Sequence, residues 1–139
     1  MNPLNNSLPR HIRIGVWSSL ISALMLIGIG FLWLLDPNST ELSFSIVPDS
    51  EVASTLARIV SIFKGIGDII GPVFVLIAIF SHQFRLAGYF QIVILFLVIF
   101  VDMIVWGVFV PDASLMDVLM HTPFAVPIVI AAYCFLRTK

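Results

Sequence analysis

Charge is what this chain has least of. Only 11% of its 139 residues are Asp, Glu, Lys or Arg, against about 25% in an ordinary soluble domain. A soluble protein needs a polar surface, and 60% hydrophobic residues leave too little to make one. Lipid is therefore the expected solvent for much of the chain. The net charge of −1 excludes a basic nucleic-acid binder or a polybasic membrane-surface protein. Cysteine is nearly absent as well. Cys134 stands alone, which rules out an internal disulfide and thiol-pair redox chemistry within one chain.

Long apolar runs are what the sequence does have. A hydrocarbon core about 30 Å thick needs about 20 helical residues at ~1.5 Å each. Four segments meet that length: Ile14–Leu35, Ile59–Phe80, Leu86–Val110 and Leu115–Leu136. None alternates polar with apolar residues as a barrel strand would. The first is too long for a signal-peptide core and no small-residue cleavage site follows it, so it reads as an anchor. The expected fold class is all-α, a four-helix transmembrane bundle forming one domain over 1–139.

The breaks between spans carry recognisable stop signals. Asp36-Pro37-Asn38 ends the first, because proline disfavours helix at the residue before it. Ser81-His82-Gln83 predicts a tight turn, and Pro111-Asp112-Ala113-Ser114 separates the last two spans. Ser114 is placed to cap the fourth helix, with Asp117 in its first turn. The longest connection, 37–54, carries Leu42, Phe44 and Ile46 in alternation, which suggests an extended flap or a plain connector. Asn38-Ser39-Thr40 is a formal glycosylation sequon, relevant only in a eukaryotic host.

Basic residues set the expected orientation. Arg10, Arg13, Arg85, Arg137 and Lys139 fall on one side, while Arg58 alone falls on the other. The positive-inside rule then puts both termini in the cytoplasm. Trp17, Tyr89 and Tyr133 would line the inner interface, with Trp33 and Trp106 at the outer one. The expected location is a multi-pass position in the plasma (inner) membrane of a bacterium or an endomembrane of a eukaryote.

Function, if it is written anywhere, lies in the ionisable residues inside the spans. Lys or Asp at a helix centre costs about 2.5–3.5 kcal/mol on insertion scales, so such residues need partners or a purpose. Lys64, Asp68, Asp102 and His121 all fall, by helical rise, within roughly 7–14 Å of the outer boundary. Lys64 and Asp68 are four apart and can pair on one face, as can Asp102 with Trp106 and Asp117 with His121. Arg58, Ser61, Gly65 and Asp68 form a small, polar stripe. The first span offers Gly15, Ser18, Ser22, Gly28 and Gly30, small enough for close helix approach. Pro72, Pro123 and Pro127 each remove a helix hydrogen bond, and the freed carbonyls favour a hydrated cavity.

These residues predict a polar pocket open to the outer leaflet that takes a lipophilic small molecule. Asp102 and His121 are the candidate catalytic acid–base groups. Arg58, Lys64, Asp68, Trp106 and Asp117 are the candidate ligand-binding residues. The bland alternatives stand beside them: Lys64–Asp68 as a structural ion pair, Asp117 as a charge at a helix start, His121 as a hydrogen-bonded core histidine. No metal-ligand spacing is present, and His11, His82 and His121 do not pair as haem ligands would. A non-enzymatic accessory or structural subunit is the second reading. A small transporter is the third, and it would need a homo-oligomer.

The same residues resemble the DoxX-like group of small four-helix membrane proteins, in a poorly characterised branch. The likeness rests on the span ending in Asp36-Pro37 and the motif Lys64-Gly65-Ile66-Gly67-Asp68. Arg85 with Gly88 and the placement of Asp102 and His121 complete it. Gly67 stands where that branch usually carries a second basic residue. The founding member belongs to a quinone-linked sulfur oxidoreductase, so quinone is the cofactor the resemblance implies. No residue here stands out as a ligand for it, and the resemblance speaks to fold more than to chemistry.

Overall fold

The computed structural model describes residues 8–36, 47–104 and 122–137, and of 100–104 and 122 it describes the backbone alone. These residues form helices α1 (Arg10–Leu35), α2 (Glu51–Phe80), α3 (Phe84–Ile104) and α4 (Thr122–Leu136). α1 and α2 are long and apolar enough to cross a membrane, and Phe84–Ile99 and Pro123–Leu136 are shorter apolar stretches.

Each helix boundary has a local cause. α1 stops at Leu35, where Asp36 turns extended ahead of Pro37. α2 begins at Glu51, not at Ile59, so its first turns take up residues expected in the connection. Ser50 explains this: its hydroxyl accepts from the Ala53 amide at 3.2 Å, and Glu51 places a negative charge in the first turn. The candidate flap residues Leu42, Phe44 and Ile46 lie outside the described residues, as do Ser114 and Asp117.

The turn from α2 to α3 closes as a Schellman motif. The His82 amide donates to Ile79 and the Gln83 amide to Ala78, at 2.9 and 2.8 Å. His82 carries the left-handed conformation the motif requires, with φ 57°.

The helices form a ring in which α1 packs on α2 and α4, and α3 closes the square against the same two. Successive helices run antiparallel. One end joins the start of α1 to the end of α4, where Ile12, Val16, Val75, Ile79, Ala87 and Phe135 are buried together. The opposite end joins the last turn of α1 to the first half of α2 through Arg58. Both ends of the described chain therefore lie at one end of the bundle.

Apolarity does not distinguish inside from outside. Ile21, Leu24, Phe31 and Leu32 of α1 point outward, and so do Phe63, Phe74 and Ile77 of α2. A helix apolar on all sides is one built for a core or for lipid. Small residues mark the packed faces instead. A Cβ on Gly15 would meet Phe135 at 2.7 Å, and one on Gly88 would meet Leu136 at 3.0 Å. Two of the small residues read from the first span are not part of this pattern. Gly28 faces outward with nothing within 4 Å of a Cβ, and Ser19, not Ser18, is the fully buried serine beside Ser22.

Trp33 is 3% exposed and packed inward against α2. The glycine at position 65 allows this, because it leaves the space that Trp33 fills.

Candidate functional site

The site starts from a glycine contact. Gly30 of α1 and Gly65 of α2 bring two backbones together, and a Cβ on either would lie within 2.8 Å of the other's carbonyl oxygen. One residue before Gly65, Lys64 is turned toward the ring interior beside α1. One turn further on the same face stands Asp68.

Lys64 and Asp68 form an ion pair. The Lys64 Nζ donates to both carboxylate oxygens of Asp68, at 2.9 and 3.2 Å. Their side chains are 23% and 12% exposed. The ammonium also lies 5.7 Å from the centroid of the Trp33 ring, within cation–π range. The pair is thus electrically neutral and held on one side by an aromatic wall.

Arg58 does something different from what its place in the polar stripe suggests. Its guanidinium donates to the carbonyls of Leu34 at 2.5 Å, Asp36 at 3.2 Å and Trp33 at 3.3 Å. These belong to the end of α1, where carbonyls have no helical donor. A planar, forked donor suits several converging carbonyls better than an ammonium would. In this arrangement Arg58 caps α1 from the neighbouring helix and fixes the backbone behind Trp33. Ser61 is likewise turned to structure, its hydroxyl donating to the Ala57 carbonyl at 2.9 Å.

Next to the ion pair lies a cavity of about 220 Å³ bordered by α1, α2 and α3. Among the described residues, Leu26, Ile94, Leu97 and Val98 give it apolar walls, and Lys64 and Asp68 are the charged side chains that line it. Gly67 and Gly71 keep it open. A Cβ on Gly67 would meet nothing within 4 Å, while one on Gly71 would press Ile94 at 3.2 Å. Pro72 adds a further polar group. It has no N–H for the carbonyl of Asp68 four residues earlier, so both backbone and side-chain oxygens of Asp68 stand near this corner.

Below the cavity, Leu26, Pro72 and Ile94 pinch the bundle to a gap too narrow for water. Beneath that pinch is a hydrogen bond between opposite corners of the ring, from Gln91 Nε2 to Ser19 Oγ at 3.0 Å. Gln91 is 1% exposed. Ser22 donates to the Ser19 carbonyl at 3.0 Å. Attention to ionisable groups alone misses this polar centre, although an amide inside an uncharged apolar run is itself a visible signal.

Of the candidate residues, the structure brings together Lys64 and Asp68. Arg58 lies on the same helix but is directed to the end of α1. Asp102 is on α3, with its backbone alone described, and Trp106, Asp117 and His121 lie outside the described residues. Among the described residues, no three His, Cys, Asp or Glu side chains converge as metal ligands would.

A family model for a domain of unknown function, DUF4267, matches residues 23–135. The chain belongs to the DUF4267 family. No curated protein and no solved structure matches it. The DUF4267 match contains every residue of the ion pair and the cavity, together with Gln91. Ser19, the partner of Gln91, lies just before it.

Proposed function

We propose that this DUF4267 protein is a multi-pass membrane protein whose cleft beside Lys64 and Asp68 binds a lipophilic small molecule drawn from the bilayer. One observation carries the reading: an apolar cavity of about 220 Å³ with a part-buried ion pair in its wall. Concave, mostly apolar sites with a few placed polar groups are the usual form of small-molecule sites. An ionisable pair inside an apolar helix bundle marks such a site further.

The remaining parts of the reading rest on the sequence. Five basic residues against one support cytoplasmic termini, which would open the cleft toward the outer leaflet. Asp102 and His121 are proposed to bring acid–base groups to it, and the DoxX-like resemblance is proposed as the wider kinship. Quinone is one lipophilic molecule that kinship would suggest.

Photolabelling tests the binding site. With the protein in nanodiscs, a dodecyl diazirine should cross-link saturably to Leu26, Leu97 and Val98. Filling the cavity by Gly71→Leu should abolish this. Uniform, unsaturable labelling around the outer faces of the helices would sink the proposal.

A second reading is favoured by a specific observation. Arg58 and the Lys64–Asp68 pair are both satisfied within the chain, as expected if their work is to lock helices together in an accessory or structural subunit. Asp68→Asn separates the two. A lock should lose stability on that change and alter no ligand preference, whereas a binding site should change what it binds.

A further inference from the structure

One end of the bundle gathers the start of α1, the α2–α3 turn and the end of α4, and with them Arg10, Arg13, Arg85 and Arg137. The sequence supplies no acid to balance them: residues 1–35, 69–101 and 118–139 contain no Asp or Glu. The connections that carry Glu41, Asp112 and Asp117 leave and re-enter the bundle at its other end. Along the chain, the carboxylates nearest to Arg85 are Asp68 and Asp102, each 17 residues away and roughly 20 Å or more along a helix. Surface charges are screened beyond about 8–10 Å. The counter-charge for this end therefore comes from another molecule.

Two of these arginines head matching rows on neighbouring helices. On α3, Arg85, Tyr89, Ile92 and Phe96 follow at steps of four, three and four, which is one helix face, and all are exposed. On α4, read from its end inward, Arg137, Tyr133, Ile130 and Val126 repeat the steps and the order of residue types, and they too are exposed. The two antiparallel helices touch where a Cβ on Gly88 would meet Leu136 at 3.0 Å. Gly88 falls between Arg85 and Tyr89, and Leu136 precedes Arg137, so the rows start level with each other. The Arg137 guanidinium lies 4.9 Å from the centroid of the Tyr133 ring. Stacking of this kind uses the guanidinium face and leaves its N–H edge for a phosphate, which such a fork binds with two bonds. From the tip inward the surface thus presents two cations, two phenols suited to an interface, and apolar walls. Phosphate, glycerol ester and acyl chain follow one another in that order in a phospholipid. A zwitterionic head would also bring an ammonium, for which this end has no carboxylate. We propose that the outer face of the α3–α4 seam binds an anionic phospholipid, its phosphate held by Arg85 and Arg137 and its chains laid along the two rows. The site rests on the membrane part of the reading above and is independent of the cleft.

Lipid cross-linking tests this on the full chain in phosphatidylcholine nanodiscs. Trace phosphatidylglycerol or phosphatidylcholine, each with a diazirine in its acyl chain, is photolysed and the labelled peptides are mapped by mass spectrometry. Phosphatidylglycerol should label the stretches holding Ile92, Phe96, Val126 and Ile130 about tenfold more than phosphatidylcholine, since each arginine near an anionic lipid contributes roughly fivefold. Arg85→Gln and Arg137→Gln should each lower that preference roughly fivefold. Arg10→Gln removes an exposed cation of the same end on α1 and should leave it unchanged. Soluble glycerol phosphate, the anion without its chains, should not displace the probe. Equal labelling by the two lipids, an Arg10→Gln loss as large as that of Arg85→Gln, or displacement by glycerol phosphate each overturns the site. Absence of labelling by either lipid on any helix face overturns the membrane reading, and the site with it. Should a variant fold poorly, the ratio of the two lipids on the unaltered protein still decides.

Discussion

Gly30 and Gly65 face each other with no room for a side chain on either: a methyl added to Gly30 would lie 2.8 Å from the Gly65 carbonyl oxygen, and one added to Gly65 would lie 2.7 Å from that of Gly30. The obstacle in each case is backbone, which cannot turn aside as a side-chain tip can. α1 and α2 must separate if either glycine is replaced, and with them Trp33, Lys64 and Asp68. Gly30→Ala and Gly65→Ala should therefore each destabilise by about 1–3 kcal/mol, the ordinary cost of overpacking. Gly28→Ala, facing open space, should be neutral or should gain up to about 1 kcal/mol of helix propensity. Thermal unfolding in detergent ranks the three, and equal melting temperatures for Gly28→Ala and Gly65→Ala would refute the close approach.

Arg58 joins the end of α1 to α2, and its removal should loosen that end selectively. Arg58→Met keeps the stem and discards the donors, leaving the carbonyls of Trp33, Leu34 and Asp36 without them. Hydrogen bonds from charged groups contribute about 1.5–3 kcal/mol each when shielded, and this guanidinium is only partly buried, so about 1–3 kcal/mol in total is expected. Amide exchange should quicken in the last turn of α1 and stay unchanged near Phe135. A uniform change along α1 would count against a local cap.

His82 offers a test in the opposite direction. Its φ of 57° costs a side-chain-bearing residue roughly 1–2 kcal/mol, which glycine avoids. Part of the gain is offset by loss of the edge-on contact between His82 and Phe84. His82→Gly should raise stability by about 1 kcal/mol or less, and His82→Val should lower it, because a branched Cβ tolerates this conformation poorly. If valine proves the more stable of the two, the Schellman geometry is wrong.

Gln91 and Ser19 invite a double-mutant cycle. Gln91→Leu strands the Ser19 hydroxyl, Ser19→Ala strands the Gln91 amide, and the double variant strands neither. Coupling of about 0.5–1.5 kcal/mol is expected, in the range of hydrogen bonds inside helix bundles. Strict additivity of the two single changes would mean the bond contributes nothing.

Orientation can be read by labelling. Cys134 is first replaced by serine so that no native thiol responds. A membrane-impermeant maleimide added outside intact cells should reach Cys at position 41 and miss Cys at position 83. The reverse pattern would put the termini, and the mouth of the cleft, on the other side.

Local signals were the legible part of this protein. Leu35 is the end of α1 because Pro37 follows closely, and Ser81-His82-Gln83 is a turn because three polar residues interrupt an apolar run. The Lys64–Asp68 pair could be expected because residues four apart meet on a helix. The start of α2 was less legible. Val52 and its neighbours up to Ser54 read as connection until the Ser50 cap is seen to bind the Ala53 amide.

What the sequence by itself determined, then, is a set of apolar helices, their breaks and the pairing of charges along one of them, since each depends on residues no more than a turn apart. Tertiary structure decided which way each helix faces. With every side of α1 apolar, hydrophobic periodicity along it carries almost no directional information, and along α2 only the small, polar stripe from Arg58 to Asp68 does. Facing is set by where small residues let backbones meet, and that depends on both partners at once. So Gly30 is a contact and Gly28 is not, Trp33 turns inward because Gly65 makes room, and Arg58 finds the end of α1. Gln91 reaches Ser19 across the ring for the same reason: no spacing along one helix encodes what stands opposite it.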